Sequence, residues 1–254
     1  MSHPDLAIDY LGHASLLVEL DGVRFLTDPA LRARIGPLTR VAPPLAGGRP
    51  SPVDVVLVSH LHLDHLDLPS LWGLGAGIRL VAPRGSAAWL RSRGVEDIVE
   101  LASGESVDVG GVTVRAVPAR HGGYRPPGGP TAQAIGYVLD GRRSVYFAGD
   151  TGLYPGLADL AGRIDIALLP VWGWGPTLRT RDHLDPISAA RAAALIQPRV
   201  VVPIHWGTYW PAGLGWLRRD RLSAPPRELE RAASELAPAV RVRGTDIGEA
   251  VQLA

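Results

Sequence analysis

Residues 53–59 (VDVVLVS) form a nearly continuous apolar run of strand length that stops abruptly at HLHLDH. A strand with so little polar surface has no face to give to water, so it must be covered on both sides, and the fold must be layered. Its end then presents His60, His62, Asp64 and His65 within six positions. In an extended or tight-loop segment, residues i and i+2 aim two imidazoles at one ion. Asp64 and His65 turn toward a neighbouring point, because one short loop does not offer four groups to a single tetrahedral centre. The spacing therefore predicts two cation positions in preference to one.

The rest of the chain narrows the chemistry. Its 254 residues include no Cys, no Lys and no Asn. That excludes a thiolate nucleophile, sulfur-ligated zinc, iron–sulfur clusters, Schiff-base lysines and the lysine of a phosphate-binding P-loop. What remains is His, Asp, Glu, Ser and Tyr chemistry. The 26 basic residues, all Arg, face 25 acidic ones, leaving a formal charge of +1. No summed field steers such a chain to nucleic acid, and none is expected as a partner. With 46% hydrophobic and 20% charged residues, the chain has enough apolar material for a substantial core and is not a disordered one. No uncharged apolar stretch approaches the roughly 18 residues of a membrane helix, and residues 1–10 carry no basic-then-apolar leader. The expectation is a cytoplasmic protein without a membrane segment.

Short strands are predicted at residues 6–10, 15–20 and 23–27, the last two joined by Asp21-Gly22, a dipeptide suited to a two-residue hairpin. Six prolines and several glycines over residues 28–52 predict an irregular surface loop. Further strands are read at residues 79–82, 106–109, 112–118, 134–139, 144–148, 164–169, 200–204 and 247–253. Helices are read at 86–93 with Ser86 as N-cap, at 185–196 opened by Asp185-Pro186, and at 226–236. Even composition without an internal repeat predicts one domain over residues 1–254. Each half begins with strands and later supplies a helix, a pattern that predicts an α/β (α+β) fold of two sheets packed face to face with helices outside.

His121 in ARHGG, Asp150 in FAGDTG and His205 in PIHWG each lie just past a predicted strand, as His60 does. These positions complete two coordination sets, with His60, His62 and His121 for one ion and Asp64, His65 and His205 for the other. Asp150 is assigned between them, because an anionic carboxylate lets two dications approach to roughly 3.5–4 Å. Imidazole and carboxylate donors without sulfur favour two zinc ions, and Mn2+ or Fe2+ fits the same donors.

In order and spacing, SHLHLDH followed by His121, Asp150 and His205 resembles the metallo-β-lactamase-fold hydrolase superfamily. LGHASLLVELDGVRFLTDP, HLDHLD, GDTGLY and VPIHWGTYWP look like the branch that contains N-acylphosphatidylethanolamine phospholipase D and ascorbate-6-phosphate lactonase. The resemblance covers nearly the whole chain. It implies a four-layer αββα sandwich of two mixed β-sheets with outer helices, a dinuclear metal site, and hydrolysis of a phosphodiester or lactone by a hydroxide bridging two metal ions. A Glu in place of His62 would resemble the diiron flavoprotein variant, so His62 argues for hydrolysis. Without a membrane-insertion segment or a long N-terminal extension, a long-chain phospholipid is not the expected substrate. The alternatives are a non-catalytic metal-binding or regulatory module and a nuclease.

Asp64 is expected to orient the hydroxide while binding metal. His183, in RDHLDP, resembles a family position near the active centre and is the candidate acid or oxyanion partner. His13 and Asp28 are candidates to fix ligand imidazoles. Trp174, Trp206 and Trp210, together with Trp172 and Tyr209, are read as an aromatic wall for a small-molecule substrate. Arg125 or Arg179 is the candidate phosphate contact. A homo-oligomer is left open.

Overall fold

Strand direction decides where the polar groups of this chain collect. The computed structural model describes residues 5–45, 48, 50, 52–173, 181–213 and 219–253. It begins with an antiparallel meander of β1 (Leu6–Gly12), β2 (Ser15–Leu20) and β3 (Val23–Thr27). Asp21 and Gly22 make the second turn with φ of 50° and 85°, the left-handed pair of a type I′ hairpin that the dipeptide predicts. Two short strands, β4 (Arg34–Ile35) and β5 (Leu38–Arg40), lead to β6 (Val55–Leu57), α1 (Leu68–Trp72), β7 (Arg79–Pro83), α2 (Ala87–Arg91) and β8 (Ile98–Leu101). The strands β6, β7 and β8 add in parallel beside β3, so these four run the same way as β1.

The second half follows a related plan. β9 (Ser106–Val109), β10 (Val112–Pro118), β11 (Ile135–Asp140) and β12 (Ser144–Phe147) pair antiparallel. After a 3₁₀ turn at Pro155–Leu160, β13 (Ile166–Pro170), α3 (Pro186–Ile196) and β14 (Val200–Ile204) extend the sheet in parallel. β15 (Tyr209–Pro211), a 3₁₀ turn at Arg219–Leu222, α4 (Ala224–Leu236), β16 (Arg241–Val242) and β17 (Glu249–Ala250) complete the order. The two large sheets are β17-β1-β2-β3-β6-β7-β8 and β16-β14-β13-β12-β11-β10-β9. In the second, β10, β12, β13 and β14 share one direction.

Burial of apolar surface joins the layers. Ile8, Leu16, Phe25, Val55 and Leu57 of the first sheet meet Val114, Tyr137, Phe147 and Ile204 of the second. The alternate residues Leu26, Val56 and Leu80 pack outward with Leu71 of α1 and Leu90 of α2. On the opposite side, Tyr146, Leu169 and Val201 pack with Ala189 and Ala193 of α3 and Leu229 of α4. Val55, Val56 and Leu57 thus divide between two cores, as an apolar run covered on both faces requires. Each such side chain contributes about 1.5–3 kcal/mol when fully buried. The result is an αββα sandwich. Among the described residues, no helix is long and apolar enough to cross a membrane.

Several expectations are corrected. The segment read as an irregular loop contains β4 and β5, which join the distant β15 in a three-stranded sheet over Ala30, Ile35 and Tyr209. Ser86 does not cap α2 with its side chain; its hydroxyl donates to the Pro83 carbonyl. Glu100 on β8 instead accepts from the backbone N–H groups of Gly85 and Ala87. The strand read at 247–253 shortens to β17, held by two register pairs with β1. At α3 the reading holds. Asp185 accepts from Ser188 N at 2.7 Å, and the Ser188 hydroxyl meets Asp185 N at 2.8 Å in a reciprocal cap. Asp185→Ala is expected to remove about 1 kcal/mol of stability, lowering the thermal midpoint by about 2–4 °C in a chain of this size. Calorimetry with the Asp185→Asn variant as the conservative control checks it.

Candidate metal centre

The common direction of β1, β3 and β6 brings their carboxyl ends to one rim, where the chain continues into His13, Asp28 and the His60–His65 segment. The carboxyl ends of β10, β12 and β14 reach the same rim and continue into His121, Asp150 and His205. Seven of the eight histidines in the sequence gather there, drawn from both sheets.

The ligand atoms of His60, His62 and His121 lie within 4.8 Å of one another, as do those of His13, Asp64, His65 and His205. In the first group, His62 Nδ1 is 2.9 Å from His60 Nε2 and 3.1 Å from His121 Nε2. In the second, His65 Nε2 is 3.2 Å from His205 Nε2 and 4.0 Å from Asp64 Oδ2. Asp150 stands between the groups. Its Oδ2 is 3.3 Å from His65 Nε2 and 3.5 Å from His183 Nε2, while its Oδ1 is 3.3 Å from His205 Nε2. His121, Asp150 and His183 form a further cluster within the same limit.

The far ring nitrogens show which atoms face inward. His121 Nδ1 lies 3.0 Å from the Asp182 carbonyl, an acceptor only, so Nδ1 carries the hydrogen and Nε2 is bare. His65 Nδ1 donates to Asp28 Oδ2 at 2.7 Å. Ser59 gives its hydroxyl hydrogen to Asp28 Oδ2 at 2.6 Å, so it accepts from His60 Nδ1 at 3.0 Å. Bare nitrogens of His60 and His121 therefore converge on His62, which has one hydrogen at most to offer at Nδ1. A cation satisfies all three at once. The edge of a tetrahedron of imidazole nitrogens around zinc is about 3.3 Å, close to the separations present. Asp150 Oδ1, buried and without a hydrogen-bond partner, is a further donor of the same kind. These donors fit a bound metal.

Electrostatics follow from burial and crowding. Burial, then the neighbouring charges of His65 and His121, push His60 well below 6.5. Burial likewise lowers His205 and His121. Burial raises the carboxylates, yet the charges of His205 and His65 hold Asp150 well below its ordinary range. For Asp64 the hydrogen bond from His13, with the charges of His65, His13 and His205, overcomes burial in the same sense. Asp28 is the exception, since burial pushes its carboxyl up against the pull of His65 and Ser59.

Asp28 holds His65 directly and His60 through Ser59, a relay that a sequence reading confined to Asp and His misses. His13 does not fix an imidazole by hydrogen bond. Its Nε2 lies 3.2 Å from Asp64 Oδ2, and its ring packs 4.0 Å from that of His205. Arg125 is not a free phosphate contact, because it is buried and donates to the carbonyls of Leu61 and Leu66. Trp172 and Trp210 are buried and meet edge to face at 5.9 Å. Trp206 packs on Tyr10, donates to the Pro203 carbonyl and lines a separate cleft with Arg227 and Glu230. Tyr209 donates to the carbonyls of Ala30 and Arg32 and sets its ring edge on His13. Trp174 and Arg179 lie outside the described residues.

Comparison with known proteins agrees with this geometry. The profile of the Beta-lactamase superfamily domain matches residues 23–206. A UPF0173 metal-dependent hydrolase of Methanopyrus kandleri is 33% identical over 97% of this chain and 100% of its own length. The N-acyl-phosphatidylethanolamine-hydrolyzing phospholipase D 1 of Caenorhabditis elegans is 30% identical over 82% of this chain and 65% of its own. Among solved structures, the metallo hydrolase Igni18 of Ignicoccus hospitalis superposes with a TM-score of 0.74 at 23% identity, covering 97% of each chain. With this fold, this His/Asp cluster and these relatives, the chain belongs to the metal-dependent hydrolases of the metallo-β-lactamase superfamily.

Proposed function

We propose that this hydrolase holds two divalent ions and cleaves a phosphodiester of a small molecule. The observation that carries the reading is the pair of adjacent donor groups, His60–His62–His121 and Asp64–His65–His205, with the Asp150 carboxylate reaching toward both. Ions held there supply an activated water at neutral pH and polarise the oxygen on which negative charge develops. Zinc suits the sulfur-free imidazole and carboxylate donors, and manganese or iron fits them too. The worm phospholipase D among the relatives supports a phosphodiester over a lactone.

The chain's own groups do the remaining work. Asp28, Ser59 and the Asp182 carbonyl orient imidazoles, so little reorganisation accompanies binding. Asp64, whose side chain is 27% exposed, and His183, at 15%, are set where a substrate can reach them. Burial lowers the His183 imidazole, but its hydrogen bond to Asp150 and that carboxylate's charge raise it above 6.5. The Asp150 carboxylate thus favours the protonated imidazole of His183, the form that gives a proton to a leaving oxygen.

Three results are expected. Bis(p-nitrophenyl) phosphate is hydrolysed in a chelator-sensitive manner; turnover confined to a lactone panel moves the substrate class, and silence on both removes the enzymatic reading. His183→Ala lowers kcat by about 10²–10⁴-fold with metal content unchanged, and parent-like turnover removes the acid role. Asp28→Asn weakens zinc binding by about 10–100-fold in chelator competition.

The two donor groups also differ in their response to acid. Burial, with His121 and His65 nearby, brings His62 down to about 4, so at pH 7 an ion enters beside it without displacing a proton. Burial lowers His65 as well, but Asp150 and Asp28 outweigh it and raise His65 well above 6.5. There an ion competes with a bound proton, and its affinity falls as pH drops below that raised value. Dialysis at descending pH is expected to strip metal in two steps, first from the Asp64–His65–His205 group and at lower pH from the other. Loss of all metal in a single step contradicts the assignment.

A further inference from the structure

We infer that Arg125 is a positioning residue of the metal centre, whose buried guanidinium holds both ends of the ligand-bearing loop. The inference rests on the reading of His62, Asp64 and His65 as ligands. Arg125 is 6% exposed, and its Nη1 donates to the Leu61 carbonyl at 2.6 Å and the Leu66 carbonyl at 3.0 Å. These two carbonyls bracket His62, Leu63, Asp64 and His65. Inside the bracket the chain closes on itself, since His65 N and Leu66 N both donate to the His62 carbonyl, at 3.1 and 2.9 Å. The loop's inner hydrogen bonds set its turn, and the guanidinium sets the separation of its ends.

A buried charge is costly unless something specific retains it. Among the described residues, Arg125 makes no ion pair with a carboxylate. The groups that receive it are the two carbonyls and the face of the Trp89 ring, 4.8 Å from the guanidinium carbon. Arg125 is itself anchored. Its N–H donates to the Pro130 carbonyl at 3.0 Å and its carbonyl accepts from Gly129 N at 2.9 Å. A Cβ at Gly129 would lie 2.8 Å from the Arg125 Cβ, so the turn closes tightly around the residue. The same connection between β10 and β11 carries His121 four positions earlier. Arg125 therefore ties the segment of His121 to the segment of His62, Asp64 and His65, and fixes the spacing of donors from both.

Arg125→Ala removes the fork, and Arg125→Met removes it while keeping an apolar stem on Trp89. Zinc affinity by chelator competition and the visible ligand-field spectrum of the cobalt-loaded protein are read for both, with thermal unfolding recorded alongside. The expected result is about 10–100-fold weaker zinc binding and an altered cobalt spectrum, with low-millimolar guanidinium ion restoring both in Arg125→Ala. Folded Arg125→Met with parent-like affinity and spectrum overturns the inference, even if its stability falls, and serves as the deciding variant should Arg125→Ala not fold. A parent protein that takes up neither zinc nor cobalt removes the ligand reading itself, a separate failure.

Discussion

The Asp28 carboxylate is fully buried, and the rim is organised around it. Its Oδ1 accepts from Ser59 N, and its Oδ2 from the Ser59 hydroxyl and His65 Nδ1. A carboxylate out of water is stable only when such donors replace its hydration. Satisfying it draws the segment after β6 onto the end of β3. Asp28 itself sits at φ 31°, a left-handed conformation held by Asp28 N on the Leu57 carbonyl and by the Ser15 hydroxyl on the Asp28 carbonyl. The consequence reaches the second sheet, because Gly149 packs on Ser59 so closely that a Cβ there would lie 2.4 Å from the Ser59 Cβ. Only glycine lets Asp150, the next residue, come in beside His65.

What the sequence made legible is what local pattern determines. The apolar run ending in HLHLDH marks a buried strand and a cluster at its end, and the histidines do converge. Asp21-Gly22 and Asp185-Pro186 specify their turn and cap through backbone preferences that act over a few residues. Pairings formed across the chain were not legible. β4 and β5 exist because Ile35 and Leu38 find Tyr209 and the β15 backbone, far along the sequence. Ser59 and Arg125 were missed as positioning groups for a related reason, since a serine or an arginine acquires that role only from the acceptors that the fold places beside it. Trp206 illustrates the converse. Its place next to His205 suggested the site, but the left-handed turn at His205, φ 60°, sends the next ring toward Tyr10.

That turn is one half of a crossing that joins the sheets. His13 and His205 both adopt left-handed conformations, with φ of 56° and 60°, and His205 N donates to the His13 carbonyl at 2.6 Å. Thr208 Oγ1 accepts from His13 N at 2.6 Å and donates to the Trp206 carbonyl at 3.1 Å. A Cβ at Gly12 would collide with the Thr208 side chain at 2.8 Å. Histidine tolerates this backbone region better than most side chains do, and sterically disfavoured geometry persists where surrounding contacts determine it. Here the contacts are the strand ends of β1 and β14, so the sequence LGHAS and the sequence PIHWGT stabilise each other.

The interior between the sheets explains why these polar groups lie at the rim. Its cluster of buried apolar residues runs from Ile8 to Val251, and the hydroxyls of Tyr10 and Tyr137 within it are satisfied by the carbonyls of His13 and Val58. No carboxylate or imidazole can be accommodated there without a partner. At the carboxyl ends of the parallel strands, by contrast, the ladder stops and side chains leave the sheet. Donors from two sheets face each other across a gap set by sheet packing, roughly 10 Å between backbones, which is bridged by side chains meeting halfway. The spacing of the donors is therefore a property of the packed core as much as of the loops, and it is held by Asp28 on one sheet, by the His13–His205 crossing between them, and by Arg125 beneath the loop that carries His62, Asp64 and His65.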